Sequence, residues 1–85
     1  MTSHAAHRTT DETIRLARAR EMADSGRGRE VRLAARLSLA DIAATIGAYP
    51  SSIQRWERGA RRPYGPAALR WLALIEALEE AHRAA

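Results

Sequence analysis

The sequence contains no cysteine and no lysine, and it has no long apolar run. Without cysteine there is no disulfide framework, no thiolate metal site and no cysteine nucleophile, which is consistent with a reducing compartment. No stretch approaches the ~18 apolar residues of a membrane span, and the N-terminus lacks the apolar core of a signal peptide. We therefore expect a soluble, cytoplasmic protein.

The residue patterns that mark enzymes are also missing. The sequence has no activated nucleophile, no recognisable pair of catalytic carboxylates and no glycine-rich loop that would cradle a phosphate. His4 and His7 have no third ligand nearby, so they do not indicate a metal site. We therefore expect a protein without catalytic residues, metal or cofactor.

The chain is short and basic. Its 85 residues allow one domain, whose small core needs well-packed helices or oligomerisation to be stable. The formal net charge is +4, and all 14 basic residues are arginine. A high-GC codon bias is one explanation for the missing lysine, and arginine is also the better bidentate ligand for phosphate and guanine.

Two short helices joined by a tight turn are predicted over residues 38–58. Ser38 is a suitable N-cap. Gly47 stands where the first helix should stop and Pro50 where the second can begin, which leaves a turn of about three residues. The apolar residues of the first helix recur at the spacing of one helical face: Leu39, Ile42, Ala43 and Ile46.

The second helix, residues 50–58, has two contrasting faces. At ~100° per residue, Ile53, Trp56 and Glu57 fall on one side, which we predict to be buried. The opposite side carries hydroxyl, amide and guanidinium groups, from Ser51, Gln54, Arg55 and Arg58. Such groups bind phosphate oxygens and base edges in the DNA major groove, although a polar outer face is also typical of any surface helix.

From residue 30 to residue 63 the joint pattern resembles the Xre/Cro/phage-repressor helix-turn-helix family. The matching positions are Leu37-Ser38, Ile42-Ala43, Ile46-Gly47 and Ile53-Gln54-Arg55-Trp56-Glu57-Arg58-Gly59. The resemblance implies an all-α, lambda-repressor-like bundle of about five helices that regulates transcription in a bacterium or a phage-infected host cell. It also implies that Arg32 forms an ion pair with Glu57.

Three positions depart from the family pattern. Leu39 stands where many members have a glutamine that steadies the recognition residues, and Arg36 stands where glycine is frequent. Tyr49 replaces a serine or threonine cap. Its ring either lies against a sugar or thymine methyl group, or covers the turn.

The predicted DNA-contacting residues follow from these helices and the loop after them. We expect base edges to be read by Ser51, Gln54 and Arg55. We expect backbone contacts from the hydroxyl and arginine side chains around them, namely Ser38, Tyr49, Ser52, Arg58, Arg61, Arg62 and Tyr64. The alternative for the basic loop at residues 59–63 is a solvated surface segment. A dimer would bind a pseudo-palindromic double-stranded operator.

The chain before the motif is predicted to contain a disordered tail and two helices. The tail spans residues 1–9, and Arg8 within it is a candidate for minor-groove contact. A first helix begins at Thr10, its candidate cap, stops near residues 25–26 and has an apolar edge of Ile14, Ala17 and Met22. It braces the domain or a dimer, or contacts DNA directly. A second helix, over residues 28–37, presents Val31, Ala34, Ala35 and Leu37.

The longest predicted helix, residues 66–83, completes a domain spanning residues 10–84. Its apolar surface is wider than one stripe, which indicates either a broad core or a dimer contact through Trp71, Leu74 and Leu78. Glu76, Glu79 and Glu80 make this end acidic and unsuited to DNA. The charge is therefore expected to segregate, with the basic side at the motif.

The sequence favours a sequence-specific DNA-binding regulator of the repressor or Cro type. The alternative is a protein-interaction module, such as an antitoxin or anti-repressor, that uses the apolar last helix to hold a partner. An architectural factor that bends DNA is a further alternative within the DNA-binding class.

Overall fold

Five α-helices make up the described part of the chain, residues 7–85 of a computed structural model. They are α1 (Thr10–Asp24), α2 (Arg27–Ala34), α3 (Leu39–Ile46), α4 (Pro50–Glu57) and α5 (Gly65–Ala84). The prediction of a small all-α bundle of about five helices is confirmed. Within these residues no helix combines the length and the apolar character that crossing a membrane requires.

The core lies around α5, which packs against α1, α2 and α3, while α4 packs against α3 and α1. The buried apolar side chains come from all five helices: Leu16, Ala19, Ala23, Val31, Ile42, Ala43, Ile46, Ile53, Trp56, Ala68, Trp71, Leu72 and Ile75. The two tryptophans meet edge to face, with ring centroids 5.7 Å apart. This pairing is a direct contact between α4 and α5.

The first helix differs from the prediction at its cap and at its buried face. Thr9, not Thr10, is the N-cap, and it exchanges hydrogen bonds with Glu12 in a capping box. Residues 7–9 of the predicted tail precede the helix, and residues 1–6, including His4, lie outside the described residues.

The predicted apolar edge of α1 is correct only for Met22, which packs against the core, and wrong for Ile14 and Ala17, which are exposed. Ile14 is 52% exposed, and the buried face instead carries Leu16, Ala19 and Ala23. Apolar residues lie around much of this helix, so its sequence pattern is compatible with more than one buried face. The contacts with α5 decide the matter, because two alanines let the helices approach closely.

The second helix ends earlier than predicted. After Ala34 the chain enters a Schellman turn, in which the Leu37 amide donates to the Arg32 carbonyl at 3.2 Å and Arg36 adopts a left-handed φ of +60°. Ala34 and Ala35 are exposed as a result, and Leu37 is half-buried. Arg36 thus takes the conformation that suits glycine.

Replacing Arg36 with glycine is expected to raise the free energy of unfolding by about 0.5–1 kcal/mol, because glycine adopts positive φ without strain. Chemical denaturation measures the change. Arg36→Ala is the control, since it removes the side chain and keeps the strain. A glycine variant no more stable than the alanine variant would argue against a strained Arg36.

The wide apolar surface of α5 is mostly core. Trp71 is 0% exposed, so the prediction that it contacts a second copy is wrong. Leu74 and Leu78 are half-buried and pack against the core cluster. Three helices cover α5 on different sides, and this explains why its apolar residues extend beyond a single stripe.

Candidate nucleic-acid interface

The turn between α3 and α4 contains three residues and is held at both ends. Ser38 caps α3 in a capping box with Asp41, and the Ser38 amide and side chain lower the pKa of that carboxyl by hydrogen bonding. Gly47 ends the helix with a φ of +70°. From α5, Nε of Arg70 donates to the Ile46 carbonyl at 2.8 Å, which ties the turn to the longest helix.

The fourth helix has the two faces that its sequence predicts. Pro50 occupies its first turn, Ile53 is 0% exposed and Trp56 is 2% exposed. Ser51, Gln54 and Arg55 are exposed on the other side. The three side chains predicted to read bases therefore lie at the surface of one short helix.

The C-terminal end of α4 is held by a buried ion pair. Arg32 donates from Nε to Oε2 of Glu57 at 2.7 Å and from Nη2 to Oε1 at 2.8 Å, and its Nη1 donates to the Leu37 carbonyl at 3.0 Å. The side chains are only 10% and 4% exposed. Hydrogen bonding to Glu57 raises the pKa of Arg32, and burial opposes this rise. The structure thus contains the pair that the resemblance implied.

The basic loop begins with a second Schellman turn. Gly59 has a φ of +72°, its amide donates to the Trp56 carbonyl at 3.2 Å, and the Ala60 amide donates to the Arg55 carbonyl at 2.9 Å. The amide of Arg61 points to the same carbonyl at 3.3 Å. The chain therefore folds back, so that Arg61 lies beside Arg55.

The far end of the loop is tied to the first helix. Nε of Arg20 donates to the carbonyl of Pro63 at 3.1 Å, and the Pro63 side chain is fully buried. The loop is therefore anchored at both ends. Arg61, Arg62 and Tyr64 remain exposed along it.

Two depressions lie beside α4. The smaller, of about 40 Å³, is lined by Ser52, Arg55, Trp56, Arg61 and Tyr64. The larger, of about 290 Å³, separates the starts of α4 and α5 and includes Tyr49, Ser52, Tyr64 and Arg70. The tyrosines are 77% and 60% exposed. Neither helix has a side-chain cap, which leaves amide groups at both starts available to other acceptors.

Charge is distributed unevenly over residues 7–85. The ion pairs among them involve Arg15 with Glu76, Arg27 with Glu30 and Glu79, Arg29 and Arg32 with Glu57, and Arg83 with Glu80. The acidic residues of α5 are thus partly neutralised by α1 and α2. No carboxylate in the described range pairs with the arginines around α4, namely Arg55, Arg58, Arg61 and Arg62.

The structure places five of the predicted contact residues along two adjoining depressions, namely Tyr49, Ser52, Arg55, Arg61 and Tyr64, and it adds residues that the sequence analysis missed. Arg70 and Arg20 each bind a backbone carbonyl, of Ile46 and Pro63, and so position the turn and the loop. No sequence pattern identifies such contacts, because every residue has a backbone carbonyl and any of them can accept the hydrogen bond. Ser38 serves as a helix cap, and its exposed hydroxyl lies at the start of α3.

A separate groove of about 430 Å³ lies between α2 and the end of α5. Val31, Ala34, Ala35 and Leu78 line its apolar part, and charged side chains line its rim. This groove is formed by elements other than α3 and α4.

Comparison of the chain with models of known protein families, with curated proteins and with solved structures gives no match.

Proposed function

We propose that this protein is a sequence-specific double-stranded DNA-binding regulator of transcription, similar to the Xre/Cro/phage-repressor helix-turn-helix proteins. One observation carries the proposal. A short helix, α4, is locked on its inner side by the Arg32–Glu57 pair, while its outer side presents Ser51 and Gln54 beside four arginines that no carboxylate within residues 7–85 neutralises. A surface of this kind is complementary to the DNA major groove, which has acidic phosphates on its rims and hydrogen-bonding base edges on its floor.

In the proposed mechanism, α4 enters the major groove and the arginines around it bind phosphates on the flanking backbone. Ser51 lies in the first turn of the helix and Gln54 one turn later, and both are exposed. Gln54 has the amide geometry that pairs with adenine through two hydrogen bonds. The third predicted base reader, Arg55, differs from both because it also lines a depression with Arg61.

The proposal is tested by binding of the purified chain to its own upstream DNA and to random duplex, at two salt concentrations. A specific regulator should prefer its own site by roughly a thousandfold. The same titration gives the stoichiometry. Two chains per site would indicate a homodimer on a pseudo-palindromic operator, and one chain a monomer. Equal, weak and strongly salt-dependent binding to both duplexes would refute sequence-specific regulation.

Gln54→Ala is expected to weaken binding to the preferred site by about 1–3 kcal/mol and to leave random duplex unaffected, because it removes a base contact and no charge. Competition binding on a preferred site selected from a random library measures the difference. The matched control is Ser51→Ala on the same exposed face, which should shift preference at a different base pair. Equal losses on both DNAs would assign Gln54 to the backbone.

A protein-interaction module is the second candidate function. The groove between α2 and α5 favours it, because apolar side chains from both helices line a depression of about 430 Å³ away from the basic side. In that case the chain would bind a protein partner, as an antitoxin or anti-repressor does. Tight binding of the chain alone to one DNA site would count against it.

A further inference from the structure

The small depression beside α4 contains two arginines and no acidic residue. Arg55 comes from the helix and Arg61 from the loop, and Ser52 and Tyr64 line the same space of about 40 Å³ with Trp56. Trp56 is 2% exposed and belongs to the core, so the depression has a rigid apolar floor. We call this depression the Arg55–Arg61 pocket.

The backbone places the two arginines together. The Schellman turn directs the amides of residues 60 and 61 to the carbonyl of Arg55, at 2.9 and 3.3 Å. Gly59 makes the reversal possible with its φ of +72°, and Arg20 holds the end of the loop through the Pro63 carbonyl. The main chain therefore brings the backbone of residue 61 next to that of residue 55, and the two side chains line one depression.

The electrostatics of the pocket are unfavourable without an anion. Like charges that share a small space repel each other, and none of the residues that line this pocket carries a compensating carboxylate. Ser52 and Tyr64 add two hydroxyl donors at the same place. Two guanidinium groups with two hydroxyl groups form the donor set that binds a tetrahedral oxyanion.

We infer that the Arg55–Arg61 pocket holds a single phosphate group of the DNA backbone, with Ser52 and Tyr64 as additional donors. The inference rests on the proposed DNA-binding function. It assigns Arg55 to the backbone and not to the guanine edge that the sequence predicts for it. Base reading then falls to the earlier residues of α4, Ser51 and Gln54.

Replacement of single phosphates tests whether the two arginines bind the same one. In the preferred duplex, each phosphate near the bound α4 is replaced in turn by an uncharged methylphosphonate, and affinity is measured for the wild type, Arg55→Ala and Arg61→Ala. We expect one position where the replacement weakens wild-type binding about tenfold, the loss typical of one charged hydrogen bond. At that same position the replacement should weaken the binding of either variant clearly less than it weakens the binding of the wild type.

Arg18→Ala is the matched control. It removes one exposed arginine from a surface formed by α1, α2 and α5, away from the pocket, and should retain the wild-type sensitivity at every phosphate. Circular dichroism verifies that each variant is folded. If the two pocket variants lose sensitivity at different phosphates, the arginines bind separate groups and the inference is wrong. It is also wrong if Arg55→Ala keeps every sensitivity and loses a base preference.

Inorganic phosphate separates failure of the pocket from failure of the proposed function. Titration of the protein with phosphate, followed by amide chemical shifts, should perturb residues 52, 61 and 64 in the wild type and leave them unchanged in Arg55→Ala and Arg61→Ala. If the chain binds no DNA and still shows this response, the DNA-binding function is refuted and the anion pocket stands. If phosphate perturbs none of these residues, and no methylphosphonate position behaves as expected, the pocket is refuted.

Discussion

Glu57→Ala is expected to destabilise the fold by about 3–5 kcal/mol, because it leaves the Arg32 guanidinium buried with its carboxylate partner removed. Arg32 is 10% exposed at its side chain and would retain only its hydrogen bond to the Leu37 carbonyl. Desolvation of an unpaired charge is the main penalty. Since small domains have total stabilities of about 5–15 kcal/mol, the variant should be close to unfolding. Urea denaturation at low temperature measures the loss.

The control for this variant is Arg29→Ala. Arg29 also approaches Glu57, at 4.0 Å, but its side chain is 60% exposed, so its removal should change stability by less than about 1 kcal/mol. A double variant, Arg32→Met with Glu57→Leu, should recover much of the lost stability because no charge stays buried. A Glu57→Ala variant as stable as Arg29→Ala would contradict a structural role for the pair.

Gly28→Ala is expected to destabilise the protein by about 3 kcal/mol, at the upper end of the range for overpacked cores. A Cβ atom at this position would lie 2.5 Å from Cζ2 and 2.7 Å from Cη2 of Trp71. The ring is completely buried, so it has no free space into which to move. Its Nε1 finds no hydrogen-bond partner among the described residues, so packing holds it. Thermal unfolding followed by tryptophan fluorescence measures the effect.

A double-mutant cycle with Trp71→Leu identifies the cause of this loss. Leucine lacks the ring atoms that would meet the new methyl group, so the second change should cost less in Gly28→Ala than in the wild type. Arg27→Ala, an exposed change in the same turn, should be nearly neutral. Additive effects of the two core substitutions would show that the methyl group and the ring do not clash.

The two predictions concern two contacts made by the same helix, α2. The Arg32–Glu57 pair joins α2 to α4, and the contact of Gly28 with Trp71 joins α2 to α5. The eight residues of α2 therefore orient both the helix proposed to enter DNA and the longest helix of the core. Substitutions in α2 should alter DNA binding through the position of α4, although α2 itself lies outside the proposed contact surface.

Local sequence signals predicted the helix pair well, because its boundaries depend on nearby residues. Ser38 caps α3 through a contact three residues away, Gly47 ends it with positive φ, and Pro50 occupies the first turn of α4. The helical period placed Ile53 and Trp56 inside and Gln54 outside. The partner of Arg32 came from the family resemblance, since no local rule joins residues 25 positions apart.

The buried face of α1 was predicted only in part, because it also depends on residues distant in the sequence. Ile14 is the larger apolar residue, yet α5 packs against the face that carries Ala19, where small side chains permit close approach. Hydrophobicity measured along one helix cannot include the shape of its neighbour. The same applies to Gly28, whose missing side chain has meaning only beside the Trp71 ring.

The sequence by itself determined the all-α character, the two motif helices with their turn, and the excess of arginine around them, because these depend on composition and on contacts within a few residues. Only the tertiary structure decided which face of α1 is buried, that Trp71 belongs to the core, and that Arg55 and Arg61 share one pocket. These features arise where distant segments meet. Their energies depend on the distance and shape between two surfaces, which neither segment specifies alone.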